Sequence, residues 1–543
     1  MKGNFVLALL LTAAFGAYAQ LGTGESPVSF SMKDFDHSAV KTISMDKPDL
    51  ERVMAEDASE EAFFKPRRFG VILPLGIDFF KEAQSMEVEE GRLWTLAVSV
   101  PEAQALILYS SDFYLPEHSK LFIYNQERTR VLGAFSAFNN HELATFATQY
   151  VEGERMILEY YQPERIKEKA RIELSEIGYA YRDIEKYDSE YGSSGSCNVN
   201  VNCSEGDGFR NQQRGVCRIQ LKLSEYYIGW CTGTLLNNTR YDRTPYLLTA
   251  AHCVEDVQST SYYSQFVFYF NYETSGCSNP YVAPSSSQSL TGATLKVRDN
   301  SGGDSGSDYA LFLLNNQVPQ SYNPFWCGWD NRNLVVNSGV CIHHPSGDVK
   351  KISTFDSPVT TEGFGAAGTH WKVYWTETEN GWGITEGGSS GAALFNMDGL
   401  VIGDLTGGWS DCNAPNDEKF DYFGKFSVSY PNMRQWLDPE NTGAEMIWGM
   451  DYVSDLENAV SEKEHFKVYP MPAKDEINLM FDKSYGRIVI SVYDVTGRKI
   501  MEDSVPEGSR ETRLNVGGFA NGIYVIDALG EGMRSRTKVV INN

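Results

Sequence analysis

Cysteine is missing from both ends of this 543-residue chain: all nine lie between Cys197 and Cys412. Basic charge is also short, with 47 Lys and Arg against 72 Asp and Glu, a formal net of −25. That deficit argues against nucleic acid as a partner, because phosphate binding needs a basic footprint. It suits a cationic substrate, although acidity alone also serves solubility. Past the N-terminus, no apolar run approaches the roughly 18 residues of a membrane-spanning helix, so no transmembrane segment is expected in the mature form. There is no C-x-x-C pair, so His343, His344 and the cysteines read as structural and no metal is expected. Nucleotide-cradling glycine motifs are absent where a strand would feed a helix, and no organic cofactor is expected.

What is present starts with Lys2, an apolar run over 5–15, and Ala17-Tyr18-Ala19. A charged start, a short apolar stretch and a small-x-small site read as a secretory signal peptide over residues 1–19. Export implies an oxidising compartment, where disulfides persist. Apolar residues at 42% and charged ones at 22% fit a globular body. Alternating apolar runs such as Leu93-Trp94-Thr95-Leu96-Ala97-Val98 make residues 20–190 β-rich. With no cysteine and no nucleophile–base pair, this unit reads as an N-terminal propeptide, its charged stretch 162–190 as a linker. Residues 191–452 hold short β-like segments between Gly, Ser and Asn turns, closed by a short helix over 430–437, and predict an all-β barrel or sandwich. A linker over 453–464 leads to residues 465–543, whose pattern predicts a small Ig-like β-sandwich of about seven strands.

Nucleophilic hydrolysis needs a hydroxyl, a base in reach of it, a carboxylate orienting the base, and donors for the oxyanion. The middle unit offers all four. Thr249-Ala250-Ala251-His252-Cys253 follows the strand-like Tyr246-Leu247-Leu248, and Asp308 precedes Tyr309-Ala310-Leu311-Phe312-Leu313-Leu314. Gly387-Gly388-Ser389-Ser390-Gly391 puts a serine in a tight turn where backbone N–H groups can converge. The order His252, Asp308, Ser390 is that of chymotrypsin-like proteases. A competing tetrapeptide, Gly303-Asp304-Ser305-Gly306, lies too close after His252 and within a Gly/Ser/Asp-rich surface turn. His370 reads as an ordinary satisfied histidine.

These segments, with Ser194-Gly195-Ser196-Cys197, Gly328-Trp329-Asp330, Ile342-His343-His344-Pro345 and Trp436-Leu437-Asp438-Pro439, resemble bacterial lysyl endopeptidase over about residues 192–451. The resemblance implies a chymotrypsin-like double β-barrel and a secreted serine endopeptidase cutting after lysine through an acyl-enzyme. It implies His252 as base, Asp308 as orienting carboxylate, Ser390 as nucleophile, and the amides of Gly388 and Ser390 as oxyanion hole. It places the lysine-reading carboxylate on Asp421 and pairs Cys197 with Cys412, Cys203 with Cys277, and Cys231 with Cys253. Cys327 and Cys341, 14 apart, are taken as a fourth bridge, leaving Cys217 free. The sequence departs from the family at Thr406, where a histidine is expected, with Phe364 nearest to its aromatic partner, and at Ala392-Ala393.

Ser389 just before the nucleophile excludes an ion pair between a new N-terminus and a carboxylate there, so latency is expected from the N-terminal unit covering or misfolding the site. Lys186 is the expected self-processing point. At the other end, Val468-Tyr469-Pro470-Met471-Pro472-Ala473, Val492-Tyr493-Asp494-Val495-Thr496-Gly497-Arg498 and Gly522-Ile523-Tyr524-Val525 resemble the sorting domain read by the type IX secretion machinery of Bacteroidetes, which implies a released or surface-attached product. Partners are then lysine-containing proteins or peptides and that machinery. The alternatives are arginine or broad preference, and a catalytically inactive surface adhesin.

Overall fold

The computed structural model describes residues 25–60, 66–182, 184, 193–279, 288–301, 306–452, 466–494, 499–530 and 533–542. The expected signal peptide, the 453–464 linker, Lys186 and Ser305 lie outside these residues. Strands dominate throughout, as the period-2 patterning requires, and no described helix is long and apolar enough to cross a membrane.

The N-terminal unit includes helix α1 (Leu50–Glu60) and strands β1 (Arg67–Asp78), β2 (Ala105–Tyr114) and β3 (Arg171–Ala180). Strand β3 corrects the linker expected over 162–190: it pairs on one side with β1 and on the other with β2. Its charges misled because they alternate. Ile172, Leu174, Ile177 and Tyr179 point into the core, while the glutamates between them face away.

The middle unit's first sheet strings together β4 (Val216–Ser224), β5 (Tyr227–Leu236), β6 (Tyr246–Ala250), β7 (Val267–Phe270), β8 (Ser289–Thr291), β9 (Ala293–Arg298) and β10 (Tyr309–Leu314). The pairing order is β8-β7-β4-β5-β6-β10-β9. Its end strands β8 and β9 are consecutive in the chain, separated only by Gly292, so the strip curls into a nearly closed barrel around Ile219, Leu247, Phe268 and Phe312. The second sheet runs through β11 (Gly339–His343), β12 (Lys351–Phe355), β13 (His370–Tyr374), β14 (Ala393–Asn396), β15 (Val401–Gly408) and β16 (Phe420–Lys425) in the order β12-β11-β14-β15-β16-β13. Helix α2 (Phe426–Leu437), four residues longer at its start than expected, packs Phe426, Met433 and Leu437 against Leu248, Leu311 and Val401. That cluster is the seam between the two sheets.

The N-terminal unit continues the first sheet. Strand β1 pairs antiparallel with β5 through Gly70 with Ile228, Arg68 with Gly229 and Arg67 with Trp230. Among the described residues the C-terminal unit is a sandwich of seven strands, three in one sheet and four in the other, as its pattern predicts.

Three bridges form: Cys197–Cys412, Cys203–Cys277 and Cys231–Cys253. The fourth does not; Cys217, Cys327 and Cys341 are unbridged and buried. Alternation along β11 is the reason. Val340 and Ile342 face the seam that holds Cys327, whereas Cys341 faces the opposite cluster with Trp371 and Phe423. All three thiols serve as small apolar core groups, with burial pushing them up toward the un-ionised form. Alkylation without reductant should therefore label none of the three in the folded protein and all three after unfolding, read by peptide mass mapping. A labelled Cys197 or an unlabelled Cys327 would contradict this connectivity.

Candidate active site

His252 sits two residues beyond β6, on the loop that the Cys231–Cys253 bridge ties to β5. Asp308 immediately precedes β10, the partner of β6, so the ladder delivers both side chains to one end of the barrel. There His252 Nδ1 lies 2.6 Å from Asp308 Oδ2, and the His252 backbone N–H donates to Asp308 Oδ1 at 2.9 Å. Two bonds from one residue fix the ring's direction and make Nδ1 the protonated nitrogen, leaving Nε2 as the base. Asp308 has no exposed surface and a φ of +57°, a left-handed conformation unusual for a non-glycine residue. The Asp308 N–H donates to Asp299 Oδ2 at 2.9 Å, and its carbonyl accepts from the Ala251 N–H at 2.7 Å, which holds that conformation. Asp299 was not singled out from the sequence, because its role is carried by the turn it stabilises.

The serine loop comes from the second sheet. Ser390 is 8% exposed, and its carbonyl accepts from the Thr232 N–H of β5 at 2.9 Å, joining the loop to the first barrel. Gly388 and Gly391 have φ values of +99° and +81°. A Cβ on Gly391 would stand 2.1 Å from Thr249 Oγ1, so only glycine lets the loop lie against β6. Ser389 donates its amide to Glu386 and Gly391 to Leu405, while the amides of Gly388 and Ser390 have no hydrogen-bond acceptor among the described residues. Two such N–H groups either side of a serine can receive an oxyanion. His252 Nε2 is buried and has no hydrogen-bond partner among the described residues, so the Ser390 hydroxyl stands outside bonding geometry with it.

A different serine–histidine contact is tight. Ser389 Oγ and His343 Nδ1 are 2.7 Å apart, and His343 Nε2 lies 2.9 Å from Ser353 Oγ. Both Ser389 and His343 have no exposed surface, and burial pulls the imidazole down to about 3, so it stays neutral. With both nitrogens engaged and no route for substrate, this pair holds the loop from beneath. Asp404, fully buried on β15 with neither oxygen partnered among the described residues, is pushed toward its neutral form by burial and then by the charges of Asp308 and Asp299. His370 is satisfied as expected: its nitrogens meet Thr369 Oγ1 at 2.7 Å and Thr406 Oγ1 at 3.0 Å, with Phe364 against the ring.

Asp421 lies on β16 at the end of a cleft of about 260 Å³ that Ser390, Glu386, Gly387, Thr406, Gly407 and Gly408 also line. It is 1% exposed. Its Oδ2 accepts from Trp375 Nε1 at 2.6 Å, Thr385 Oγ1 at 2.7 Å and Ser410 Oγ at 2.6 Å; among the described residues its Oδ1 has only the Ser410 N–H at 3.4 Å. Burial raises its pKa, opposed by hydrogen bonds from Ser410, Thr385 and Trp375. One carboxylate oxygen is thus saturated and the other open.

Two antiparallel β-sheets meeting at a seam, with a histidine and aspartate on one and a glycine-flanked serine on the other, define the architecture of a chymotrypsin-like serine protease. Residues 191–424 match the family model described as lysyl endopeptidase, C-terminal domain, and residues 467–542 that of the secretion system C-terminal sorting domain. The middle unit is thus similar to the C-terminal domain of lysyl endopeptidases, and the tail marks the chain for secretion or attachment at the cell surface. A curated relative, "Lysyl endopeptidase" of Pseudomonas aeruginosa, is 31% identical over 307 residues, which is 53% of this chain and 62% of the relative. The chain thus spans about three fifths of that relative's length. Among solved structures, a Glu endopeptidase (17% identity, 45% of this chain and 97% of that one) and HL collagenase (18%, 42% and 94%) are similar, each at a TM-score of 0.28.

Gly391→Ala should destabilise the protein by about 2 kcal/mol or more, since it adds a backbone clash to a left-handed φ. Gly368→Ala, with φ +82° but open space around it, isolates the conformational part at about 1 kcal/mol. Equal thermal shifts for the two variants would contradict the packing of the serine loop.

Proposed function

We propose that the chain is a secreted serine endopeptidase that cleaves after lysine. In this reading His252 Nε2 takes the Ser390 proton as Oγ adds to the scissile carbonyl, Asp308 steadies the imidazolium, and the Gly388 and Ser390 amides receive the oxyanion. His252 then protonates the leaving amine, and water resolves the ester. Each amide is worth roughly 3–4 kcal/mol in comparable sites. Residues 20–190 act as a propeptide that covers the cleft until removed, residues 191–452 as the protease, and residues 465–543 as the address read by the secretion machinery.

The single observation that carries the lysine preference is the asymmetry of Asp421. A guanidinium binds a carboxylate with two parallel N–H bonds, needing both oxygens, whereas an ammonium is a point charge satisfied by one. With Oδ2 already accepting three donors, Oδ1 alone faces a ligand, and that favours lysine over arginine.

Asp421→Asn should lower kcat/KM for lysyl substrates by more than about 100-fold, the effect of leaving a buried ammonium without its partner. Substrates with a neutral side chain before the cut should lose far less. Because the native carboxyl titrates above its ordinary value, lysyl kcat/KM should fall as pH drops through that raised pKa. The variant should lack this acid limb. Unchanged selectivity would remove Asp421 from the pocket. Asp308→Asn should lower kcat by about 10⁴-fold while leaving that selectivity intact.

A further inference from the structure

Ser389 stands just before the nucleophile, so no carboxylate at that place draws a freed N-terminus in to set the loop. Two other carboxylates hold it. Glu386 Oε1 accepts from the Gly195 N–H at 2.8 Å and from Asn198 Nδ2 at 2.6 Å, and its Oε2 accepts from Ser346 Oγ at 2.8 Å. On the backbone side, the Glu386 N–H donates to Ser389 Oγ at 3.1 Å and its carbonyl accepts from the Ser389 N–H at 2.9 Å, closing 386–389 into one turn. Asp348, with no exposed surface, accepts on Oδ2 from the Ser194 N–H at 3.3 Å and the Ser194 hydroxyl at 2.5 Å. The turn before Asp348 lies against the serine loop. The Ser346 N–H donates to the Gly387 carbonyl at 2.7 Å, and a Cβ on Gly388 would stand 3.0 Å from the Gly347 nitrogen and the His344 carbonyl oxygen.

We propose that Glu386 and Asp348 are the positioning residues of the oxyanion loop, with residues 194–198 as their ligands, and that the active centre is therefore already set in the uncut chain; this rests on the protease reading above. The donors decide the matter. Each is a neutral N–H, amide or hydroxyl, strengthened by ending on a carboxylate. The N–H groups of Ser194 and Gly195 are internal peptide groups, unchanged by hydrolysis of any bond before residue 193. An α-amino group would be required only if one of these carboxylates were buried with its donors missing. Cys197 fixes the segment from its other end, through its bridge to Cys412 and through its carbonyl, which accepts from the Gly383 N–H at 2.9 Å.

Latency then comes from access and not from a disordered loop. Pro66, Arg67 and Arg68 share the cleft of about 260 Å³ with Ser390 and Asp421, and the Arg67 side chain lies 3.4–3.8 Å from where a Cβ on Gly387 would stand. A peptide chain running past Ser390 meets these residues. A reagent made of one lysine-like side chain and one electrophilic group needs only the space between Asp421 and Ser390.

The test treats freshly purified full-length chain with a diphenyl phosphonate bearing a lysine-like side chain, the uncut and processed species being resolved by intact mass. Ser390 Oγ adds to phosphorus, one phenoxide leaves, and it takes the proton that His252 received from Ser390. The uncut chain should gain a single adduct at a rate within about threefold of the processed chain. Glu386→Ala should slow labelling of the uncut chain by at least about 30-fold, as loss of oxyanion donors does. Glu386→Gln, whose amide oxygen and nitrogen reproduce the bonds to Gly195 and Ser346, should recover to within about fivefold of the parent. Should Glu386→Ala fail to form its three bridges, the comparison of uncut and processed parent stands alone. Labelling of the processed chain only, an unslowed Glu386→Ala, or a Glu386→Gln as slow as the alanine variant would overturn the inference while leaving the protease reading intact. Absence of labelling in both parent species would overturn the protease reading and the inference with it.

Discussion

The carboxylate of Asp308, with no surface open to water, is the constraint on which the active centre depends. A buried charge persists only if every side of it is answered. Here the answers are the ring and the backbone N–H of His252, with Asp299 holding the backbone of Asp308 itself in a left-handed conformation. The order of strands makes these contacts possible. Strands β6 and β10 are neighbours in one barrel, so a residue just after one and a residue just before the other must meet at the same end. The serine loop then reaches that point from the second sheet, tied to β5 through Thr232. Chemistry at a seam between two sheets requires that both be in place, so the proposed activity is linked to folding of the whole middle unit.

The N-terminal unit is not an appendage to that arrangement. It extends the first barrel's own sheet through β1 and β5, and the residues that make the join also line the cleft. Covering an otherwise open strand edge and covering the site are thus one contact. An edge left bare would invite pairing with other chains, so the unit that lines the cleft also covers that edge.

Much of this was legible in the sequence because strand alternation and loop chemistry are local. The β character of all three units, the closing helix, the seven-stranded tail and the positions of His252, Asp308 and Ser390 on strand ends and a glycine turn all follow from short segments. Other features were not legible. Strand β3 hid among charges that face away from the core. The proposed Cys327–Cys341 bridge failed because spacing along the chain says nothing about which face of a strand a thiol occupies. The Ser389–His343 support and the saturated oxygen of Asp421 depend on contacts between distant elements, and the Asp299 brace on the turn between two paired strands, each residue being unremarkable in its own segment. The docking of 66–70 on β5 is of the same kind, since two edges declare themselves as partners only once both sheets exist.

The most direct measurement is covalent labelling with a phosphonate ester bearing a lysine-like side chain, followed by peptide mapping of the secreted protein. A single adduct on Ser390, absent from a Ser390→Ala variant and slowed when the side chain is made neutral, is what this arrangement of groups predicts. An adduct on Ser305 or Ser389 instead, or none on a folded and correctly bridged chain, would contradict it.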